Sequence, residues 1–433
     1  MTGSNHWTSS NHYGGTTMYS TKRALALAVA VAAATATLTG PAASAAPSVP
    51  RTEKASVAPD GTEGDGSSGG QSISADGRYV AFRSNADNLV AGDTDGTADA
   101  FVRDLRTGTT RLASTAGDGN VLDVSLSANG RYLAYTINPT YDTADNHIWI
   151  KDLKTGATQL VDDAVAPGYA AASGPAISAD GRYVAFVALH TSDEGPAGDR
   201  SSRIYRVDRV TGERVRISQV PGEGAWKSAG THPSISADGS RVGYQFFVPY
   251  PSRGDWSDAY VRDVPSGELI QVDKAPDGKV SDGQTEFPQV SADGRYAVFN
   301  SLDSQLTPGD TNGSHNVFAR DLRTGSVSRI DGADPAAYTA YPRLSADSRH
   351  LAFGSAAPAS DEARQVYVRD LRTGRTALVS VAAQGGPSAE PAEFPVIDRH
   401  GRTVVFSSWA NDLVSADAGQ TDFTTHVYVR HLK

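Results

Sequence analysis

The chain has no cysteine among its 433 residues. Disulfides, thiolate metal sites and thiol nucleophiles are thereby excluded, as is a lipoprotein anchor on cysteine. An excess of basic charge is also missing: 39 Lys and Arg face 49 Asp and Glu, a formal charge of −10. A general nucleic-acid binder needs a basic footprint, so nucleic acid is not expected as a partner. No stretch has the period of a long amphipathic helix. Beyond the first 46 residues no apolar run approaches the roughly 20 residues that cross a bilayer. Glycine and proline are abundant, 43 and 22, and are spread along the chain, which reads as many tight turns. Apolar residues make up 39%, enough for a substantial core.

Lys22 and Arg23 precede the uncharged apolar run Ala24 to Leu38, followed by Gly40, Pro41 and the small stretch Ala42 to Ala46. This is the basic, apolar and small-residue order of a secretory signal peptide. Residues 1–45 are therefore expected to be a leader, with Met18 an alternative start. The product is expected to be secreted, extracellular or in the cell envelope, with no membrane span of its own.

A repeat of about 54 residues organises the remainder. Ser74-Ala75-Asp76-Gly77-Arg78-Tyr79-Val80-Ala81-Phe82 returns from Ser127, Ser178, Ser236, Ser291 and Ser345, and its last form begins at Asp398. A second phrase follows each first one. Phe101-Val102-Arg103-Asp104-Leu105-Arg106-Thr107-Gly108 is echoed six times, finally as Val427 to Lys433. Each unit reads as four short strands joined by Asp-Gly and Thr-Gly turns. Seven such units predict an all-β, seven-bladed β-propeller over residues 46–433. The seventh unit lacks an outer strand, and Arg51 to Ala58 resembles an orphan one. That segment is expected to complete the last blade and close the ring.

The two phrases resemble the TolB-type, WD-repeat-like propeller repeat of exported bacterial proteins. The resemblance implies the propeller fold but does not carry a function across, because function sits in grafted sites. The family proper has an α/β domain and six blades, so a role in its envelope system is not implied. No Gly-x-Ser-x-Gly elbow of a prolyl-oligopeptidase-like enzyme is present. The sialidase Asp-box is not matched.

Residues present in nearly every blade, such as Asp76 and Arg78, read as turn formers or interblade partners. Residues that break the repeat are better candidates for a site. At the Pro of the inner strand the blades differ, with Asp123, His232, Glu286, Phe287, Tyr341, Arg343, Glu393 and Phe394. This point is expected near one mouth of the central channel, where Asp123, His232, Glu286, Tyr341, Arg343 and Glu393 could form a ligand pocket. The loop Asp93-Thr94-Asp95-Gly96-Thr97-Ala98-Asp99 has the oxygen density of a calcium site. Position 12 counted from Asp93 is Asp104, in a predicted strand, so it is not an EF-hand. Asp93, Asp95 and Asp99 are candidate calcium ligands set against a plain turn, and no other cofactor is expected. The aromatic stretch Phe246 to Trp256 reads as a loop, either a recognition surface or packing.

The sequence favours a secreted, non-enzymatic binding module for a protein or cell-envelope glycan. The alternative is a polysaccharide lyase or glycosidase with its polar site at the channel mouth.

Overall fold

Each copy of the two phrases becomes the paired second and third strands of one four-stranded antiparallel sheet. In the first blade the strands are Ser68–Ile73, Tyr79–Ser84, Asp99–Asp104 and Thr109–Leu112, each hydrogen-bonded to the next. Further sheets follow over residues 120–160, 169–216, 229–271, 285–330 and 338–378. The seventh combines Ala392–Ile397, Thr403–Ser408 and His426–His431 with Arg51–Lys54. The computed structural model describes residues 50–432 except position 94 and segments 115–118, 141–144, 164–168, 192–199, 219–228, 251–253, 280–282, 333, 357–363 and 416–423. Among these residues there is no α-helix, and the fold is the seven-bladed propeller that the repeat predicts. The expected leader, 1–45, lies outside the described residues.

The repeated phrases have structural jobs. The Ser74 hydroxyl donates to Asp76 Oδ1 at 2.6 Å and accepts from the Tyr79 amide, while the Arg78 amide donates to Asp76. This locks the Asp-Gly turn. The turn glycine is required twice over: Gly181 has φ of 80°, and a Cβ there would lie 2.2 Å from the Tyr132 ring of the preceding blade. Arg78 forks onto Asp104, and the same pair recurs as Arg131–Asp152, Arg182–Asp208, Arg241–Asp263, Arg295–Asp321 and Arg349–Asp370. The second phrase's arginine reaches across blades, as Arg369 does to the Asp331 carbonyl.

The seventh blade is completed by the start of the chain. Arg51, Thr52, Glu53 and Lys54 pair with His431, Arg430, Val429 and Tyr428. Where other blades carry the aspartate that receives the first arginine, this one has His431, held by Glu53 at 2.9 Å. In six of the seven blades the side chain ending the outer strand caps a third-strand amide; in the fifth, Gly332 stands there and Thr339 of the next inner strand caps Val317 instead. Ser114 does so for Ala100, Ser218 for Ile204 and Ser380 for Val366; Ser56 does the same for Val427.

In the fourth blade that cap is Asp273, which accepts from the Ala259 amide and is fully buried. Burial, followed by the charge of Asp258, raises its pKa, while Arg320 lies close enough to sense it. A carboxyl that binds its proton more tightly when folded loses stability as pH rises from about 4 toward the raised value. Asp273→Ser, copying the serine caps of the first, third, sixth and seventh blades, should therefore raise the melting temperature increasingly between pH 5 and 8. A difference that stays constant with pH would refute this assignment.

Inner strands surround the axis. At one end a cavity of about 240 Å³ is lined by the last apolar residue of each inner strand, such as Ile73 and Leu344. Six turn alanines and Arg399 complete that lining. At the other end inner strands begin, and there the repeat is broken.

Candidate functional site

Every inner strand carries a β-bulge, seen as a register shift such as Thr231/Ser234, Glu286/Gln289, Ala340/Arg343 and Glu393/Val396. A bulge re-aims the side chains around it. In six blades the bulge holds a residue with positive φ: Gly70, Gly174, His232, Phe287, Tyr341 and Phe394. The last four have φ between 50° and 54°, a left-handed conformation costing a non-glycine residue roughly 1–2 kcal/mol. Among the described residues the only other non-glycine case is Ser348, in a turn. Each strained residue precedes a proline, which has no N–H to lose where the ladder breaks. Strain of this kind clusters at functional sites in general, which makes this rim the candidate.

The four rings meet in series across neighbouring blades. Centroids are 4.7 Å apart for His232–Phe287, 5.2 Å for Phe287–Tyr341 and 4.6 Å for Tyr341–Phe394. Phe394 is 49% exposed. Two of the remaining bulges, at Gly70 and Gly174, bear no side chain. One side of the mouth is thus an aromatic arc, and part of the other is open backbone.

Polar groups stand around the arc. Glu286 accepts from Gln284 at 2.8 Å and from Asn300 at 3.2 Å. Asn300 in turn lies 3.4 Å from His315. Asp123 accepts from the Gly174 amide and the Thr136 hydroxyl. Glu393 is paired with Arg364 at 3.0 Å, and Arg364 also donates to the Tyr341 hydroxyl. His232 opens to the channel but is otherwise enclosed by protein; desolvation, then the Gln245 side chain opposing it, sets its pKa, with a net lowering that also includes repulsion from Arg343. Glu286 and Asp123 act on the same imidazole. Burial, foremost, raises the Tyr341 pKa. At neutral pH the imidazole is a base and the phenol a proton donor.

Arg343 differs from the other charges. Its hydrogen bond goes to the Pro342 carbonyl at 3.4 Å, and among the described residues no carboxylate pairs with it. Burial alone pushes its pKa down to about 10, so it remains a cation at neutral pH. The structure therefore brings Glu286, Asp123 and Arg343 within electrostatic range of the His232 imidazole, and places Tyr341 and Glu393 together on Arg364. Gln245, Asn300, His315 and Arg364 were missed by the sequence reading. His315 and Arg364 break the repeat just before a third strand, which is the signal that could have found them.

Residues 246–250 and 254–256 are strand rather than loop, and 251–253 lie outside the described residues. Arg241–Tyr250 and Gly254–Asp263 form a ten-residue ladder, and Phe246 packs against Tyr244 and Tyr260 in the core. Val242 to Phe246 are buried without a break, and this anchors a strand that runs past the usual six residues through Pro249. Asp93 and Asp95, in the loop between the second and third strands of the first blade, and Asp99, at the start of the third, have carboxylate oxygens within 4.8 Å of one another.

No family model and no curated protein matches the chain. Among solved structures, an oligogalacturonate lyase in complex with manganese aligns at 16% identity and TM-score 0.58, over 90% of this chain and 97% of that one. An oligogalacturonate lyase from Vibrio parahaemolyticus aligns at 13% identity and TM-score 0.57, over 89% and 98%. TolB from Acinetobacter baumannii aligns at 19% identity and TM-score 0.42, over 77% and 76%. The likeness to the two lyases is one of fold. It also corrects the expectation of a non-enzymatic binding module, which rested on the propeller standing alone without cysteine, a nucleotide loop or a metal triad. Two enzymes are covered almost end to end by this chain, so a lone propeller of this size is no argument against catalysis. The manganese of the first does not transfer to the mouth: among the described residues no three His, Asp or Glu side chains converge there.

Proposed function

We propose that the chain is a lyase for acidic oligosaccharides, oligogalacturonate among them, acting at the aromatic mouth. The observation that carries this reading is Arg343, a cation held in the site without a counter-charge. A uronate carboxylate is the matching ligand, and the ring series supplies flat faces on which sugar rings can stack.

In β-elimination the hydrogen on the carbon next to the carboxylate leaves as a proton, and its electron pair forms a C=C bond. The neighbouring C–O bond breaks, and the departing oxygen takes a proton. The first step is difficult because negative charge builds on the carboxylate. Arg343 stabilises that charge, a fixed donor being most effective where water is excluded. Neutral His232 accepts the proton, and Tyr341, supported by Arg364, donates one to the leaving oxygen. A glycosidase is less well supported, because it needs two carboxyl groups flanking the bond. Here Glu393 is committed to Arg364, Glu286 to two amides, and Asp123 to a backbone amide and a hydroxyl.

The test is incubation of the full chain with oligogalacturonate and with a neutral oligosaccharide. An ultraviolet-absorbing unsaturated product should appear only with the first. New reducing ends without that absorbance would assign a glycosidase, and no cleavage of any uronate oligomer would overturn the reading.

A further inference from the structure

The first blade contains a second charged feature, which the channel chemistry does not use. Asp93 is 2% exposed, and its Oδ1 has no hydrogen-bond partner. Asp95 and Asp99 stand beside it, their oxygens within 4.8 Å. Ser114 donates to Asp99, and Thr97 donates to Asp95 through its amide and hydroxyl. The charges acting on Asp93 are all of its own sign. Burial comes first, then Asp99, Asp95 and Asp87, and together they raise its pKa to about 6.

The fifth blade provides an internal control. There the same loop reads Asp310-Thr311-Asn312-Gly313-Ser314-His315-Asn316, so Asp310 stands in the place of Asp93. Asn312 and Asn316 replace Asp95 and Asp99. Asp310 is buried too, but Arg329 neutralises it at 2.9 Å, and Asn316 donates toward both its oxygens at 3.4 Å. Arg329 pairs across the ladder with Phe318, and the equivalent of Phe318 is Phe101, whose partner is Leu112. One blade thus carries its cation on the outer strand. The other has an aliphatic residue there and two more carboxylates.

We propose that Asp93, Asp95 and Asp99 bind a hard divalent cation, calcium, which takes the place in the first blade that Arg329 holds in the fifth. An all-oxygen donor set suits calcium, with water and backbone carbonyls completing its six to eight ligands. The ion would tie together the loop between the second and third strands. That loop leaves the sheet at the end where Ser84 pairs with Ser68, at the start of the inner strand, so it lies on the mouth side of the blade.

The test uses the full chain and calcium itself. Equilibrium dialysis should find about one calcium per chain at millimolar concentration, and the melting temperature should rise by roughly 3 °C or more over chelator-treated protein. Asp93→Asn should abolish both effects, whereas Asp310→Asn should leave calcium uptake intact. Leu112→Arg, which copies the fifth blade, should raise the melting temperature in chelator and cancel the calcium increment. Absence of uptake by the wild-type chain would mean that Asp93 and Asp99 merely share a proton, and would overturn the proposal. Undiminished uptake by Asp93→Asn would overturn it equally. Neither result bears on the lyase reading, whose assay concerns Arg343.

Discussion

Arg343→Met is expected to lower kcat/KM on uronate oligomers by about 10²–10³-fold, the usual consequence of removing one donor aimed at developing negative charge. The melting temperature should stay level or rise. Methionine keeps much of the stem's bulk, and a guanidinium without a carboxylate partner contributes little that folding would miss. The two readouts separate roles. A structural arginine, such as Arg369 with its bond to the neighbouring blade, would lose stability and activity together. A substrate-binding one loses activity alone, and at a strained mouth that trade is expected. Arg343→Lys should recover part of the loss, because charge returns without the planar fork that suits a carboxylate. Full activity of Arg343→Met on oligogalacturonate would remove the observation on which the lyase reading stands.

The fold was legible because each structural device is written several times. The serine that locks the Asp-Gly turn, the glycine that admits the preceding tyrosine and the Arg–Asp pair between the two phrases all recur, so chance resemblance at one copy is outvoted by the others. The same redundancy exposed the first strand, since Ala55-Ser56 reads like Ala113-Ser114 and performs the same cap. The site was legible only as a list of exceptions. That His232, Phe287, Tyr341 and Phe394 depart from the repeat could be read directly. That all four adopt a left-handed backbone and touch ring to ring could not, because strain is imposed by the bulge and by neighbouring blades. Arg343 is a similar case. Its significance is the carboxylate that is absent around it, and sequence spacing does not report on absent neighbours. The stretch after Phe246 was misread for a different reason: its aromatic run read as a loop, but Phe246 anchors a ten-residue ladder in the core.

Removal of residues 46–58 should lower the melting temperature by at least 8 °C and make the protein prone to aggregate. The four pairs from Arg51↔His431 to Lys54↔Tyr428 disappear, and His426–His431 becomes a bare edge. Buried Ala55 and Val57 leave the core, with Val405, Val427 and Val429 losing their cover. Ser56 no longer caps the Val427 amide, and Glu53 no longer holds His431. Each lost hydrogen bond is worth about 1 kcal/mol, and each uncovered aliphatic side chain up to about 1.5–3 kcal/mol. The sum is comparable with the 5–15 kcal/mol that typically separates a folded domain from its unfolded chain. The topology also supplies a rescue. In the other blades an outer strand follows its third strand through a Thr-Gly or Ser-Gly turn and runs antiparallel to it, the direction Arg51–Lys54 takes beside His426–His431. Residues 51–58 grafted behind such a turn after His431 should therefore restore most of the lost melting temperature. A truncated chain that melts at the full-length temperature would show that the first strand is dispensable. A graft that fails to rescue a destabilised truncation would mean that the segment acts by something other than completing the sheet.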